Sequence, residues 1–288
     1  MKRIVLFGCL ALAAFAQAPR LEVTSVLGTK FYSLADDKGV VAAAEKALAA
    51  DPKDVDLLRK LAQAQVSVWQ DREAVATLTR ALAAAPRDAA LLTERGHREV
   101  PLREFSRAAA DLDRAVALDP KRMEAWYHLG LANYFLANFP AAAAAFKKAV
   151  ETAPNSDERI NGTNWLYAAL RRAGQEDEAA RALAAIPPEL KNEAPHTLHY
   201  LNLVRFFQGR KTEAEVLPPE PPAGNKDDEP ELAFDTVAYG LGNWHLYNGD
   251  PAKAQDYFRR VLKGHVWITW GFVGSEVEVS RAKTGRSH

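Results

Sequence analysis

The chain has 288 residues, with 37 Lys plus Arg against 37 Asp plus Glu, 48% hydrophobic residues and a single cysteine. The charge balance excludes bulk electrostatic recruitment of nucleic acid, of an anionic membrane or of an acidic substrate, so any charge recognition is local. One cysteine excludes an intrachain disulfide framework and leaves stability to packing.

At the N-terminus, Lys2 and Arg3 precede an apolar run over residues 4–15 and small residues at Ala14, Ala16 and Ala18. These are the three parts of a secretory signal. The run is well short of the roughly 20 residues that cross a bilayer. Residues 1–18 are therefore expected to be a signal peptide, cut after Ala16 or Ala18. Pro19 would follow a cut after Ala18 directly, which favours Ala16. Such a protein is exported, periplasmic or secreted, and keeps no membrane span once cut. Leu6-Phe7-Gly8-Cys9 loosely resembles a lipobox, but more apolar sequence follows Cys9 than precedes it, the arrangement of an ordinary signal core.

Four prolines, Pro52, Pro86, Pro120 and Pro154, stand 34 residues apart, each with an alanine five residues ahead: Ala47, Ala81, Ala115 and Ala149. A period of this length in an alanine-rich chain predicts stacked helical hairpins, with each proline ending a second helix. Leu27, Gly28 and Phe31 suggest a first helix, with Val40, Ala44 and Ala47 in its partner. Leu58, Leu61, Ala62, Ala74 and Leu78 form the next unit. Leu92, Gly96, Ala108 and Leu112 follow, with Pro101 ending the first helix early. The clearest unit, residues 123–156, carries Trp126, Leu129, Gly130, Ala142, Phe146, Ala149 and Pro154. Gly130 and Ala142 are small where the helices cross, and Trp126 and Phe146 fill the space beside them.

After Pro154 the period drifts. Trp165, Leu166, Leu170, Gly174, Ala179 and Leu183 make one hairpin, and residues 196–207 another whose second helix is truncated at 212–216. Residues 217–231, rich in proline and charge, read as an extended loop. Leu241, Gly242, Gly249, Ala254 and Phe258 restore the register, and Trp267, Trp270 and Gly271 open a capping helix with Glu276, Glu278, Arg281 and Lys283 on its wet side. The organisation expected is signal 1–18, solenoid 19–216, loop 217–231, and a last repeat with its cap over 232–288.

The 123–156 unit and its neighbours resemble the tetratricopeptide repeat. The resemblance implies an all-α superhelical solenoid of antiparallel helix hairpins, whose first helices line a concave groove that binds protein or peptide. Carrying the register over selects Tyr127, Leu131, Tyr134, Asn164, Arg171, His199, Tyr239, Asn243 and Tyr247 as groove residues. The Lys, Asn and Arg set with which such arrays hold acidic chaperone tails is not matched: Arg59 and Gln63, Thr93 and His97, and Tyr127 and Leu131 stand at the corresponding places.

Other constellations carry less. His196 and His199 share a helical face but lack third and fourth metal ligands. Asp227, Asp228 and Glu229 lack the alternating ligands and central glycine of a calcium loop and read as a solvated run. Asn161-Gly162-Thr163 fits a glycosylation sequon. With no phosphate loop, nucleophile elbow or carboxylate pair, neither metal nor cofactor is expected, and the reading is a non-catalytic binding scaffold of the cell envelope. A structural, self-assembling role and a catalytic or metal site within 196–247 are the alternatives.

Overall fold

The computed structural model describes residues 18–285, so the segment expected to be a signal peptide, up to residue 17 and with Cys9, lies outside the described residues. Two short strands come first, β1 (Leu21–Thr24) and β2 (Lys30–Tyr32). They pair antiparallel, Leu21 opposite Tyr32 and Thr24 opposite Lys30. This corrects the first helix expected around Leu27, Gly28 and Phe31. Val23 and Thr24 are β-branched, Gly28 takes a left-handed φ of 86°, and the Ser25 hydroxyl accepts the Leu27 and Thr29 amides across the turn.

Among the described residues fourteen α-helices follow. The first, α1 (Val40–Leu48), is the expected second helix of the opening unit. Hairpins then run α2 (Val55–Ser67) with α3 (Asp71–Ala84), α4 (Ala89–Glu99) with α5 (Phe105–Leu118), α6 (Met123–Phe135) with α7 (Phe139–Thr152), and α8 (Ser156–Arg172) with α9 (Glu176–Ala184). The four ladder prolines lie in the turns after α1, α3, α5 and α7. In three of those turns an Asp or Asn one or two residues after the proline caps the following helix: Asp54 accepts from Leu57 N at 2.8 Å, Asp88 from Ala90 N at 2.8 Å and Asn155 from Glu158 N at 2.9 Å. Pro101 acts as expected, since α4 stops at Glu99.

In three hairpins a glycine of the first helix faces a large residue of the second. A β-carbon at Gly130 would lie 2.6 Å from the Phe146 ring, one at Gly242 2.5 Å from Phe258, and one at Gly96 2.7 Å from Leu112. Phe146 is fully buried and stacks on Trp165 at 6.0 Å. Trp126 does not share that space: it is half-exposed, and its indole donates to the Pro120 carbonyl at 2.9 Å.

The second half is looser: α10 (Leu198–Phe207), a single turn α11 (Glu213–Val216), α12 (Asp228–Tyr247), α13 (Pro251–Val261) and α14 (Trp270–Lys283). The Pro-rich loop ends sooner than expected. Asp227 caps α12, and Pro230 sits in its first turn, where the backbone N–H has no helical partner to lose.

The C-terminal helix caps the array, but of its expected wet residues Lys283 alone is exposed, Arg281 is half-buried and the two glutamates are buried. Glu276 is 1% exposed and Glu278 3%. Glu276 pairs with Arg103 at 2.8 Å and Glu278 with Arg172 at 3.1 Å, while Arg281 donates to the Phe135 carbonyl at 2.8 Å. Helix α14 thus crosses the C-terminal ends of α6 and α8 and the turn after α4, satisfying carbonyls that a helix end leaves open. The N-terminal hairpin completes the closure. Phe31 stacks on Trp267 at 5.6 Å, the Trp267 indole donates to the Tyr32 carbonyl at 3.2 Å, and the Arg103 guanidinium lies over both rings.

Candidate binding cleft

A cleft of about 680 Å³ opens between the first helices and the N-terminal parts of α12 and α14. Its walls come from His97 on α4, Tyr127 on α6, Glu158 and Asn161 on α8, His199 and Tyr200 on α10, and Asp228, Glu229, Leu232 and Thr236 on α12. Trp69, Pro195, Val266, Ile268, Thr269 and Trp270 complete it.

Helical spacing explains the first-helix contributions, since residues on successive first helices at matching register face the same side. His97 stacks on His128 with ring centroids 3.9 Å apart, and Trp270 packs against both at 5.3 and 5.8 Å. Burial pushes the His128 imidazole down to about 3, and the Arg98 charge adds to the effect. His97 is held well below its ordinary range by burial, then by Arg98 and by His128. Both rings are therefore neutral at neutral pH and behave as flat aromatic surface. Trp69, left-handed at φ 57°, packs edge-on against Trp267 at 6.2 Å and lies 6.5 Å from His265. Asp157 ties down the segment before α10 by accepting from Glu193 N and Ala194 N at 2.9 and 2.6 Å, which sets Pro195 on the rim. A second cavity of about 280 Å³, lined by Gln63, Glu94, His97 and Arg98 among others, shares His97 with the first. The two make an elongated path from α2 to α12.

Of the groove residues expected from the sequence, Tyr127 and His199 line this cleft. Leu131, Tyr134, Asn164, Tyr239 and Asn243 are buried instead. Tyr134 donates to Asn243 Oδ1 at 3.1 Å, and the Tyr239 ring lies where a β-carbon at Gly274 of α14 would come within 2.4 Å. The chain's own helices occupy the space that an open groove would leave. Arg171 and Tyr247 sit together, half-buried, with the guanidinium 4.7 Å from the ring centroid and bonded to Asn248 Oδ1 at 3.0 Å. The sequon lies inside α8, with Thr163 2% exposed and Gly162 packed on Val150. Trp69, Tyr200, Asp228, Glu229 and Trp270 escaped the sequence reading as cleft residues, although Asp228 and Glu229 stood out as a charge run.

Residues 93–157 match the family model described as tetratricopeptide repeat. The fold is similar to the crystal structure of a tetratricopeptide repeat protein from Parabacteroides merdae ATCC 43184, 20% identical, covering 78% of this chain and 87% of that one with a TM-score of 0.50. Two crystal structures of MamA align over 50% and 51% of this chain and 83% and 79% of theirs, at 26% and 25% identity and a TM-score of 0.47 each. No curated protein matches the sequence. The described chain is a helical solenoid of antiparallel hairpins, matched to the tetratricopeptide repeat over residues 93–157 and closed at its ends by a β-hairpin and a buried terminal helix. Among the described residues no helix is long and apolar enough to cross a membrane.

Proposed function

We propose that the protein is a non-catalytic scaffold that takes a segment of a partner protein into the cleft between α4 and α12. The observation that carries this reading is the cleft itself, a concave space in which His97, Tyr127 and Tyr200 of α4, α6 and α10 stand with Trp69 and Trp270. Rigid aromatics bury area at little entropic cost, which suits them to anchor a partner. The signal-like N-terminus supports a place in the cell envelope, and the N-terminal sequence of the protein recovered from a periplasmic fraction tests that part.

The binding reading is tested by placing a photo-crosslinking phenylalanine analogue at Leu232, exposed on the cleft wall, or at Leu136, exposed and outside the lining. Adducts to one partner from Leu232 and none from Leu136 are expected. Equal adducts from both positions would remove the cleft as the binding site.

A second reading, self-assembly, is favoured by the N-terminal hairpin region, where Leu21, Val26, Tyr32 and Leu34 are 44%, 58%, 48% and 40% exposed. Sedimentation at several concentrations separates the two: a mass that stays monomeric throughout excludes assembly through this face.

A further inference from the structure

The cleft has a chemical polarity that says what kind of segment it takes. Its lining includes Glu158, Asp228 and Glu229 and contains neither lysine nor arginine. The acidic end is the first turn of α12, where Asp228, Glu229 and Glu231 stand together. Part of that charge answers the helix itself, because an α-helix N-terminus carries about half a positive elementary charge. Part answers His265, whose ring bridges Asp228 at 2.9 Å and Glu231 at 2.6 Å. Glu231 is buried against the His265 ring and the Val266 amide and does not line the cleft, so even with the ring's charge set against Glu231, Asp228 and Glu229 remain against the half charge of the helix end, and about one negative charge or more faces the cleft. Lys226 precedes the helix but lies outside the lining.

The same lining carries the rings of Trp69, Tyr127, Tyr200 and Trp270, with Trp69 6.5 Å from the His265 ring that meets Asp228. Aromatic faces carry negative quadrupole density and attract ammonium and guanidinium groups. The stacked imidazoles of His97 and His128 add no positive charge to the floor. The neighbouring cavity that shares His97 adds Gln63, Glu94 and Arg98, the last paired with Asp71 at 3.5 Å, and lengthens the site in a way that suits an extended chain more than a compact small molecule.

Resting on the reading of the cleft as a partner site, we propose that its occupant is an extended, cationic peptide segment. Its lysine or arginine side chains meet Asp228 and Glu229, and its apolar side chains lie between Trp69, Tyr200 and Trp270.

The test uses fluorescein-labelled short peptides alternating Leu with Lys, with Ser or with Glu, titrated with the protein in fluorescence anisotropy at about 50 and about 300 mM NaCl. The Lys peptide is expected to bind at least about tenfold more tightly than the Ser peptide and to weaken with salt, and the Glu peptide least of all. The double variant Asp228→Asn, Glu229→Gln should lose most of that preference. Glu151→Gln, which removes an exposed carboxylate far from the lining, should leave it intact. Ile268→Arg, which places a cation on the cleft wall, should abolish Lys-peptide binding, with circular dichroism confirming that each variant is folded. If the peptides bind equally and Ile268→Arg still removes them, the cleft stands and the cationic preference is wrong. If no cleft variant alters binding, the cleft reading falls as well. No detectable Lys-peptide binding overturns the inference.

Discussion

Arg103, in the turn after α4, places its Nε 2.8 Å from Oε2 of Glu276 in the C-terminal helix, with the two side chains 5% and 1% exposed. A buried pair of this kind costs desolvation that its Coulomb attraction only offsets, so removing one partner strands the other. Glu276→Leu alone should lower the unfolding free energy by about 3 to 5 kcal/mol in a urea titration. Replacing both residues, Arg103→Met with Glu276→Leu, should recover most of that loss. A single variant as stable as the wild type would mean that water reaches the pair.

Left-handed residues recur between the helices of each hairpin. Trp69, Arg103 and Ala137 occupy this conformation 34 residues apart, while Gly174, Gly209 and Gly249 take it in the second half. An L-residue there costs roughly 1 to 2 kcal/mol, and glycine loses roughly 0.5 to 1 kcal/mol more backbone entropy on folding. Ala137→Gly should therefore raise stability by up to about 1 kcal/mol. Trp69→Gly should do the reverse and cost about 3 to 5 kcal/mol, because the Trp69 side chain packs against Trp267. Denaturation midpoints moving in the same direction would refute the assignment.

Close approach within the hairpins sets a third expectation. Gly130→Ala presses a methyl onto the Phe146 ring, which is buried and cannot turn away, and should cost about 1 to 3 kcal/mol. Gly96→Ala should cost less, since its nearest neighbour is the rotatable Leu112 side chain. Thermal melts of the two variants compare them directly.

Much of this framework was legible beforehand. The proline ladder located the hairpins from α2 to α9, and the Gly130–Phe146 and Gly242–Phe258 contacts follow from one repeated spacing. The β-hairpin was not, because Leu27 and Phe31 also satisfy a helical spacing and nothing local reveals that Phe31 stacks on Trp267. Glu276 and Glu278 looked wet because their partners, Arg103 and Arg172, are remote in sequence and periodicity cannot report a tertiary ion pair. Tyr134 meets Asn243 of α12 and Tyr239 meets Gly274 of α14 in the interior, long-range packing that the spacing along a single helix does not report. The cleft drew on residues outside the first-helix register, notably Trp69 and Trp270.

Stability should also depend on pH in a defined direction. Burial raises the Asp235 carboxyl to about 8, against the lowering effect of its bond to Thr269 at 2.9 Å, and Glu231 raises it further. An acid near 4 when unfolded and near 8 when folded binds its proton more tightly in the fold, so its contribution is complete below about pH 4 and lost as pH rises through about 8. Glu99, raised to about 7 by burial and then by Asp111, acts in the same direction. Below about pH 6.5 the buried neutral rings of His97 and His128 act the opposite way, so unfolding free energy should fall from about pH 7 to about pH 9, and Asp235→Asn should remove roughly 1 to 2 kcal/mol of that fall. A profile that rises over this window would contradict the assignment.

The bond from Trp267 to Tyr32 joins positions 235 residues apart, and the Arg103–Glu276 pair joins positions 173 apart. An open array frays from either end, each unit held by its neighbours alone. Fastening the two extremities together removes the place where fraying starts, so loss of one terminal repeat entails loss of the clasp. The molecule then melts as one cooperative body, and its folding waits on the slow closure of a very long loop.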